Sequence, residues 1–355
     1  MAPVAVIILH AEAPPAAGPL EAWVATARRT LAERHRVSFT AAGADEVRIV
    51  AGVPDGTPFG RLLRNSVGRS PGGGVVVLGS GSIPLATAAD RRALVLAAAG
   101  EAPAALTNNR YSSDVVAVAC AGVLRDLPDV TSDNSLPRWL AEVAGFPVAE
   151  LPAWRLRVDV DDPLDLVLLR RARPSSAAWI PPDVDAGRAE DALDRVADLA
   201  ADRTAELVVA GRTSSTAIGW LERHAAARVR ALVEERGLRA SDSLATSSGP
   251  ARPRPPASVL GAVLDVEGPR RFGEVMARLG DAALVDTRVL LAHRLGADER
   301  GWPPAEDRYA SDLLLHEAIG DPWLASLTRA ALEAPIPIVL GGHTLVGPGI
   351  RLAVR

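Results

Sequence analysis

The 355-residue chain has no lysine and no glutamine, one cysteine, two tyrosines and four asparagines. Each shortage closes something off. The single thiol, Cys120, excludes an internal disulfide framework, and its place in the apolar run VVAVACAGVL suits a small packed hydrophobe better than a reactive group. With 39 arginines and 43 acids interspersed, the formal charge of -4 gives no broad basic face for nucleic acid and no basic amphipathic helix for a membrane surface. The longest early apolar run, VAVIIL, is far too short to span a bilayer, and no basic segment precedes it as in a secretory signal. These absences point to a cytoplasmic protein with small-molecule or protein partners. The six histidines show no H-E-x-x-H spacing, and neither a G-x-S-x-G elbow nor a Walker loop occurs.

The all-arginine basic set reflects a composition bias that depletes asparagine and tyrosine as well. Positions where those two survive therefore attract interest. TNNRYSSD, residues 107–114, holds Asn108, Asn109 and Tyr111, and EDRYASD holds the other tyrosine, Tyr309.

At 48% hydrophobic residues the chain is rich enough for real cores and long enough for two domains. Apolar, β-branched runs at 3–9, 47–53, 75–79, 115–119 and 155–160 read as buried strands, and the segments between them carry helical periodicity, clearest over 20–34. This is the α/β pattern of a three-layer, mostly parallel sheet covered on both faces. RARPSSAAWIPPDVDAG interrupts it, so the expected organisation is a first domain over 1–172, a linker over 173–187 and a second C-terminal α/β domain over 188–355. Within the second, helices are expected over 188–202, 214–226, 269–279 and 321–333, strands at ELVVAG, RVRALVEE, AALVDTRVLLA and PIPIVLGG, and a mobile loop over 240–258. The halves echo each other in the order of short matches (PFGRLLRNSV with RRFGEVMARL, NNRYSSD with EDRYASD), which raises a duplication as one option.

The strongest chemical feature is RVDVDDPLDL, residues 157–166. Alternation places Arg157, Asp159 and Asp161 on one side of a strand that stops at Pro163, delivering carboxylates to the strand's C-terminal end, where open α/β sheets bind ligands. Converging carboxylates suit a hard divalent cation holding phosphate oxygens. The competing reading is that Asp161 or Asp162 caps the helix beginning at Pro163. GSGSIPL after the third strand offers backbone N–H groups and the hydroxyls of Ser80 and Ser82 around Gly81. In TNNRYSSD, Asn108 and Asn109 donate and accept, Arg110 grips an anion with two prongs, and Tyr111 offers a ring; alternatively the stretch is a polar turn that caps its own backbone. In the C-terminal half VAGRTSST makes Arg212, Thr213 and Ser214 candidates for an anion site at a helix N-terminus, against ordinary capping by Thr213 or Ser214.

DVDDPLDL resembles the D-[IV]-D-x-P-x-D-L element of nucleotidyltransferases with the GT-A-like (nucleotide-diphospho-sugar transferase-like) fold, including guanylyltransferases of molybdenum-cofactor and phospholactate pathways. GTPFGRLL followed by GVVVLGSGSIPLAT is similar to that group's helix, strand and turn, so the resemblance covers about residues 45–170. It implies a nucleotide or sugar-phosphate ligand, Mg2+ held by Asp159 and Asp161, a catalytic role for Asp161 and Arg110, and substrate contacts from Ser80, Gly81, Ser82, Asn108, Asn109 and Tyr111. The chain departs from the family in three places. The turn has Ser80, Gly81 and Ser82 where the family has an aspartate, VIILHAEAPPAAGPL is not a Gly-rich phosphate loop, and no lysine exists to neutralise a triphosphate. Two functions follow: a divergent nucleotidyltransferase acting on a phosphorylated or acidic acceptor, or a catalytically degenerate nucleotide or phosphometabolite-binding protein with a regulatory or assembly role. Homo-oligomer formation is left open.

Overall fold

The computed structural model describes residues 1–68, 73–172, 184–236, 238 and 255–355. The chain divides into two compact units, and the division falls between Val160 and Asp161. Among the described residues the first unit holds 1–16, 25–68 and 73–160, and the second 17–24, 161–172, 184–236, 238 and 255–355. Helix Pro163–Ala172 thus belongs to the second unit. Most of the expected linker and of the expected 240–258 loop lies outside the described residues.

The first unit runs β1 (Val4–Ala11), α1 (Pro19–Ala41, its first turns grouped with the second unit), β2 (Glu46–Gly52), α2 (Phe59–Val67), β3 (Gly74–Gly79), α3 (Ala88–Ala98), β4 (Ala105–Thr107), β5 (Val115–Val118), α4 (Ser135–Glu142) and β6 (Val148–Glu150). Its sheet has the order β2-β1-β3-β5-β4-β6. β5 is antiparallel to both β3 and β4, while the β1–β2, β1–β3 and β4–β6 pairs are parallel. The sheet is therefore mixed.

Period-2 alternation explains its two cores. Val4, Val6, Ile8, Val76, Leu78, Val115 and Ala117 feed one cluster with Ala32 and Phe39 of α1 and Leu94 and Ala98 of α3. Ile7, Val75, Val77, Val116 and Val118 feed another with Leu63 of α2 and Leu136, Trp139 and Leu140 of α4. Full burial of each such aliphatic side chain contributes about 1.5–3 kcal/mol. Short β4 and β6 escaped the sequence pattern because three residues are too few to show a period.

The expected strand over 155–160 does not form. A 3-10 turn, Trp154–Leu156, leads instead into one isolated antiparallel bridge between Ser82 and Asp159. The backbone there is held crosswise: Val160 N–H donates to Gly81 O at 3.1 Å, and Arg28 Nε donates to Val160 O at 2.6 Å.

The second unit runs α5 (Pro163–Ala172), α6 (Gly187–Ala200), β7 (Glu206–Gly211), α7 (Ser215–His224), β8 (Arg228–Val233), α8 (Val259–Glu267), α9 (Phe272–Ala277), β9 (Ala282–Asp286), α10 (Thr287–Leu295), α11 (Ala305–Asp312), α12 (Pro322–Leu332), β10 (Ile338–Gly341), α13 (His343–Val346) and α14 (Ile350–Ala353). Its four-stranded sheet, ordered β10-β9-β7-β8, is parallel throughout. The expected long strand AALVDTRVLLA breaks at Asp286, whose carboxylate accepts the Arg288 N–H and caps α10. EDRYASD is helical in α11, whereas TNNRYSSD is the end of β4 and the connection to β5, so the two stretches that suggested a duplication do not share a conformation. Among the described residues no helix is long and apolar enough to cross a membrane.

Candidate functional site

In the first unit the strand directions bring the connections after β1, β3, β4 and β6 to one sheet edge, together with the end of β2. β1, β3, β4 and β6 all end there, and antiparallel β5 begins there. The GSGSIPL turn, TNNRYSSD and the segment carrying Asp159 are thus neighbours along one carboxyl edge, the usual position for ligands of open α/β sheets.

The turn is clamped. Ser80 and Ser82 are each only 4% exposed. Ser82 N–H returns to Gly79 O at 3.2 Å, and the Gly81 peptide pairs with Val160 as described. A Cβ on Gly81 would lie 2.7 Å from Val160 O, 3.1 Å from Asp159 Oδ1 and 3.2 Å from Arg28 Nε, so only glycine fits. Ser82 O accepts a hydrogen bond from His35 Nε2 at 2.8 Å, which fixes the tautomer and leaves Nδ1 buried without a hydrogen-bond partner among the described residues. Burial, with Arg91 adding to it, takes the His35 pKa down to about 3, so this ring stays neutral.

His10, near the end of β1, was not among the sequence candidates. Its Nδ1 shares a 3.0 Å hydrogen bond with Ser80 Oγ across the β1–β3 pair, and both side chains are buried. Burial, then Arg29 and Arg28 against Glu12, holds the His10 pKa below its ordinary value. A lone histidine at the end of an apolar run carries no motif, so nothing in the sequence marked it.

In TNNRYSSD the asparagines serve the backbone. Asn108 is fully buried; its Nδ2 donates to Asp114 Oδ2 at 2.6 Å and Leu156 O at 2.7 Å, and its Oδ1 accepts from the Asp114 and Val115 N–H groups. All its hydrogen-bonding capacity is committed internally. Asn109 Oδ1 accepts the Tyr111 N–H in a local turn. Arg110 donates its backbone N–H to Glu150 Oε1 at 2.9 Å, and Tyr111 is 57% exposed. Asn134, at the N-cap position of α4, makes no side-chain capping bond among the described residues and holds the Ser113 N–H instead, at 2.7 Å.

The proposed metal ligands fall in different units, Asp159 closing the first and Asp161 opening the second. Within the first, Asp159 Oδ1 accepts the N–H of its neighbour Val160; the turn beside it carries serines rather than a second carboxylate, and Arg28 of α1 approaches the same glycine. Among the described residues no group of three histidines, cysteines or acids is arranged to hold a metal ion. A hard cation needs several oxygen ligands, and a guanidinium near the Asp159 carboxylate opposes it; the first unit's described residues do not fit Mg2+.

In the second unit DDPLD is a reciprocal cap on α5. Asp162 Oδ1 accepts the Asp165 N–H, and Asp165 Oδ2 accepts those of Asp161 and Asp162. Tyr309 donates its hydroxyl to Asp161 O at 3.0 Å. Around this cap lies a buried ionic network. Arg288 donates to both oxygens of Asp312 at 2.6 Å and to Asp162 Oδ2 at 3.2 Å. Burial pushes the Asp312 carboxyl up to about 7, with Asp162 adding to the effect against Arg288, and burial likewise raises Asp162 and, further, Asp165.

The chain leaves β7 for β8 on one side and, returning, passes from β9 to β10 on the other, so the gap between β7 and β9 is the sheet's switch point. It is filled. Arg212 grips Asp286 with two hydrogen bonds of 2.6 and 3.1 Å, and Gly211, at φ +125°, leaves no room for a Cβ, which would lie 2.3 Å from Asp286 Cβ. Burial alone would raise the Asp286 pKa; Arg212, with His343 and Arg288, more than offsets it. Ser214 accepts the Ala217 N–H as the cap of α7, and Thr213 is fully buried with its Oγ1 unpartnered among the described residues. Arg212 and Ser214 are thus engaged within the protein.

No family model matches the chain, and no curated protein matches it. Among solved structures it is similar to a nucleotidyl transferase from Methanothermobacter thermautotroptrophicus, at 16% identity and a TM-score of 0.35, over 50% of this chain and 99% of that one.

Proposed function

We propose that the first unit is a nucleotidyltransferase-like domain of the three-layer GT-A type that binds a nucleotide or sugar phosphate without Mg2+-assisted transfer, and that the protein serves a regulatory or assembly role. One observation carries the reading. At the turn where the resembled family sets a metal-binding aspartate, Ser80 is tied to the neutral ring of His10, and Arg28 stands against Gly81 near the carboxylate of Asp159. The edge keeps the glycine turn and the polar connections that a nucleotide needs, while its charge favours an anion over a cation. Of the earlier candidates, Arg110 and Tyr111 retain solvent-facing surface for ligand contact, and Asn108 positions their loop.

Thermal-shift measurements on the full chain with nucleoside triphosphates and nucleotide sugars, with and without Mg2+, test this. Stabilisation independent of the metal is expected, and it should persist in Asp159→Ala and Asp161→Ala. Stabilisation that needs Mg2+ and disappears in those variants would mark a metal-dependent transferase instead, and no shift with any nucleotide would remove the reading.

A further inference from the structure

A pair of arginines lies on the same carboxyl edge, away from the glycine turn. β4 and β6 run parallel with Thr107 opposite Glu150, so the connections leaving the two strands emerge side by side. Arg110 comes from one connection and Arg157 from the other. Glu150 stands between them: Oε1 accepts the Arg110 backbone N–H at 2.9 Å, and Oε2 lies 3.9 Å from Arg157 Nη2. The second distance is an ion pair too long for a hydrogen bond.

Neither guanidinium is satisfied by this arrangement. The Nε atoms of both Arg110 and Arg157 are buried and have no hydrogen-bond partner among the described residues. Buried donors are ordinarily paired, so the two residues that Glu150 joins each carry a guanidinium nitrogen without an acceptor, a donor set larger than the acceptors now present. The site is reachable from solvent, with 28% of the Arg157 side chain and 39% of the Glu150 side chain exposed. Two forked cations match the several oxygens of a phosphate or diphosphate better than a single carboxylate does.

We propose that Arg110 and Arg157 form an oxyanion subsite for the phosphate groups of the ligand, and that the Glu150 carboxylate is a built-in stand-in which the ligand displaces. The subsite deepens the nucleotide-binding reading and rests on it for the identity of the ligand. Glu150 makes the subsite self-limiting, because a weak anion cannot compete with a tethered carboxylate.

Isothermal titration calorimetry with inorganic pyrophosphate and with ATP, on the full chain and its Glu150→Gln, Arg157→Leu, Arg157→Lys and Arg110→Leu variants, tests the subsite. Glu150→Gln removes the competing charge and keeps the acceptor for Arg110 N–H; it should tighten pyrophosphate binding roughly tenfold, the size of one charge-assisted hydrogen bond. Either leucine variant should weaken it by roughly tenfold or more, and Arg157→Lys, which keeps the charge without the fork, should fall between. Pyrophosphate binding unchanged or weakened in Glu150→Gln, or unchanged in both leucine variants, would overturn the proposal. ATP binding that ignores all four substitutions would leave the nucleotide reading standing and remove this subsite. Pyrophosphate binding through the arginines with no nucleotide bound would do the reverse.

Discussion

The carboxyl edges of the two sheets are made from opposite materials. In the first unit the loops at that edge are held by backbone groups, serine hydroxyls and two imidazoles that burial keeps neutral, His10 and His35. In the second unit the same edge is packed with ionisable pairs: Arg212 with Asp286, and Arg288 with Asp312 and Asp162. Neutral groups impose no fixed counterion on the loops they hold. An edge already filled with interlocked charges is suited to holding its helices in place, since buried charge demands a fixed partner. The contrast separates a unit that offers a site from one whose site position has become structure.

The largest effect expected from this contrast is at Arg288. Replacing it with methionine leaves Asp312 and Asp162 buried with no shared cation, and removing one partner of a buried pair costs about 3–5 kcal/mol. Hydrogen exchange should show loss of protection in α10, α11 and the start of α5, with β1 and β3 unchanged. Because replacing both sides of such a pair with apolar groups is often neutral, Arg288→Met combined with Asp312→Leu should recover much of the loss. Unchanged protection in the single variant would mean that the network does not hold the second unit together.

Proton linkage gives the next effect, with opposite sign in the two units. His35 titrates near 6.5 when unfolded and near 3 when folded, so below 6.5 the unfolded chain binds the extra proton and the first unit loses stability as pH falls, by up to about 1.4 kcal/mol per pH unit. Asp312 has the reverse displacement, from 3.8 when unfolded up to about 7 in the fold. There the folded state binds the proton, so its contribution is lost as pH rises from about 4 towards 7 and recovers on acidification. Opening free energies from hydrogen exchange at pH 7.5 and 5.5 should therefore fall in β1, β3 and α1 and rise in α10 and α11. His35→Gln, which keeps a donor for Ser82 O, should flatten the first trend. Parallel trends in both units would show that the comparison of their edges is mistaken.

How far the sequence revealed this depends on what each residue had to announce. The long apolar strands and the α/β class were legible because burial on both faces imposes continuous β-branched runs. The antiparallel β5 was not, since a run of VVAV packs equally well in either direction. The cap in DDPLD was legible, because proline at the first turn and acids either side have one local geometry. Sequence alternation placed Asp159 and Asp161 on one strand; the tether of Val160 to Gly81 and Arg28, made by residues far away in the chain, decided otherwise. Arg212 and Asp286 lie 74 residues apart, and their pairing turns an expected anion site into a filled crevice. Long-range partners of this kind carry no local signature.

The smallest effects separate the two tyrosines, which sit in similar sequence and dissimilar surroundings. Tyr309 is half-buried in α11 and ties the first residue of the DDPLD cap to that helix through its hydroxyl. Tyr111 is mostly exposed at the tip of a loop that Asn108 anchors from within. Removing the hydroxyl in Tyr309→Phe should cost about 0.5–1.5 kcal/mol, the net worth of one hydrogen bond, while Tyr111→Phe should stay within about 0.5 kcal/mol of the wild type. Chemical denaturation of both variants measures this difference. If Tyr111→Phe proved the more damaging, its ring would have a fixed partner and could not be the free surface of the first unit's edge. If both were silent in stability while Tyr111→Ala alone lowered ATP affinity, the exposed tyrosine would be retained for the ligand and the buried one for the cap.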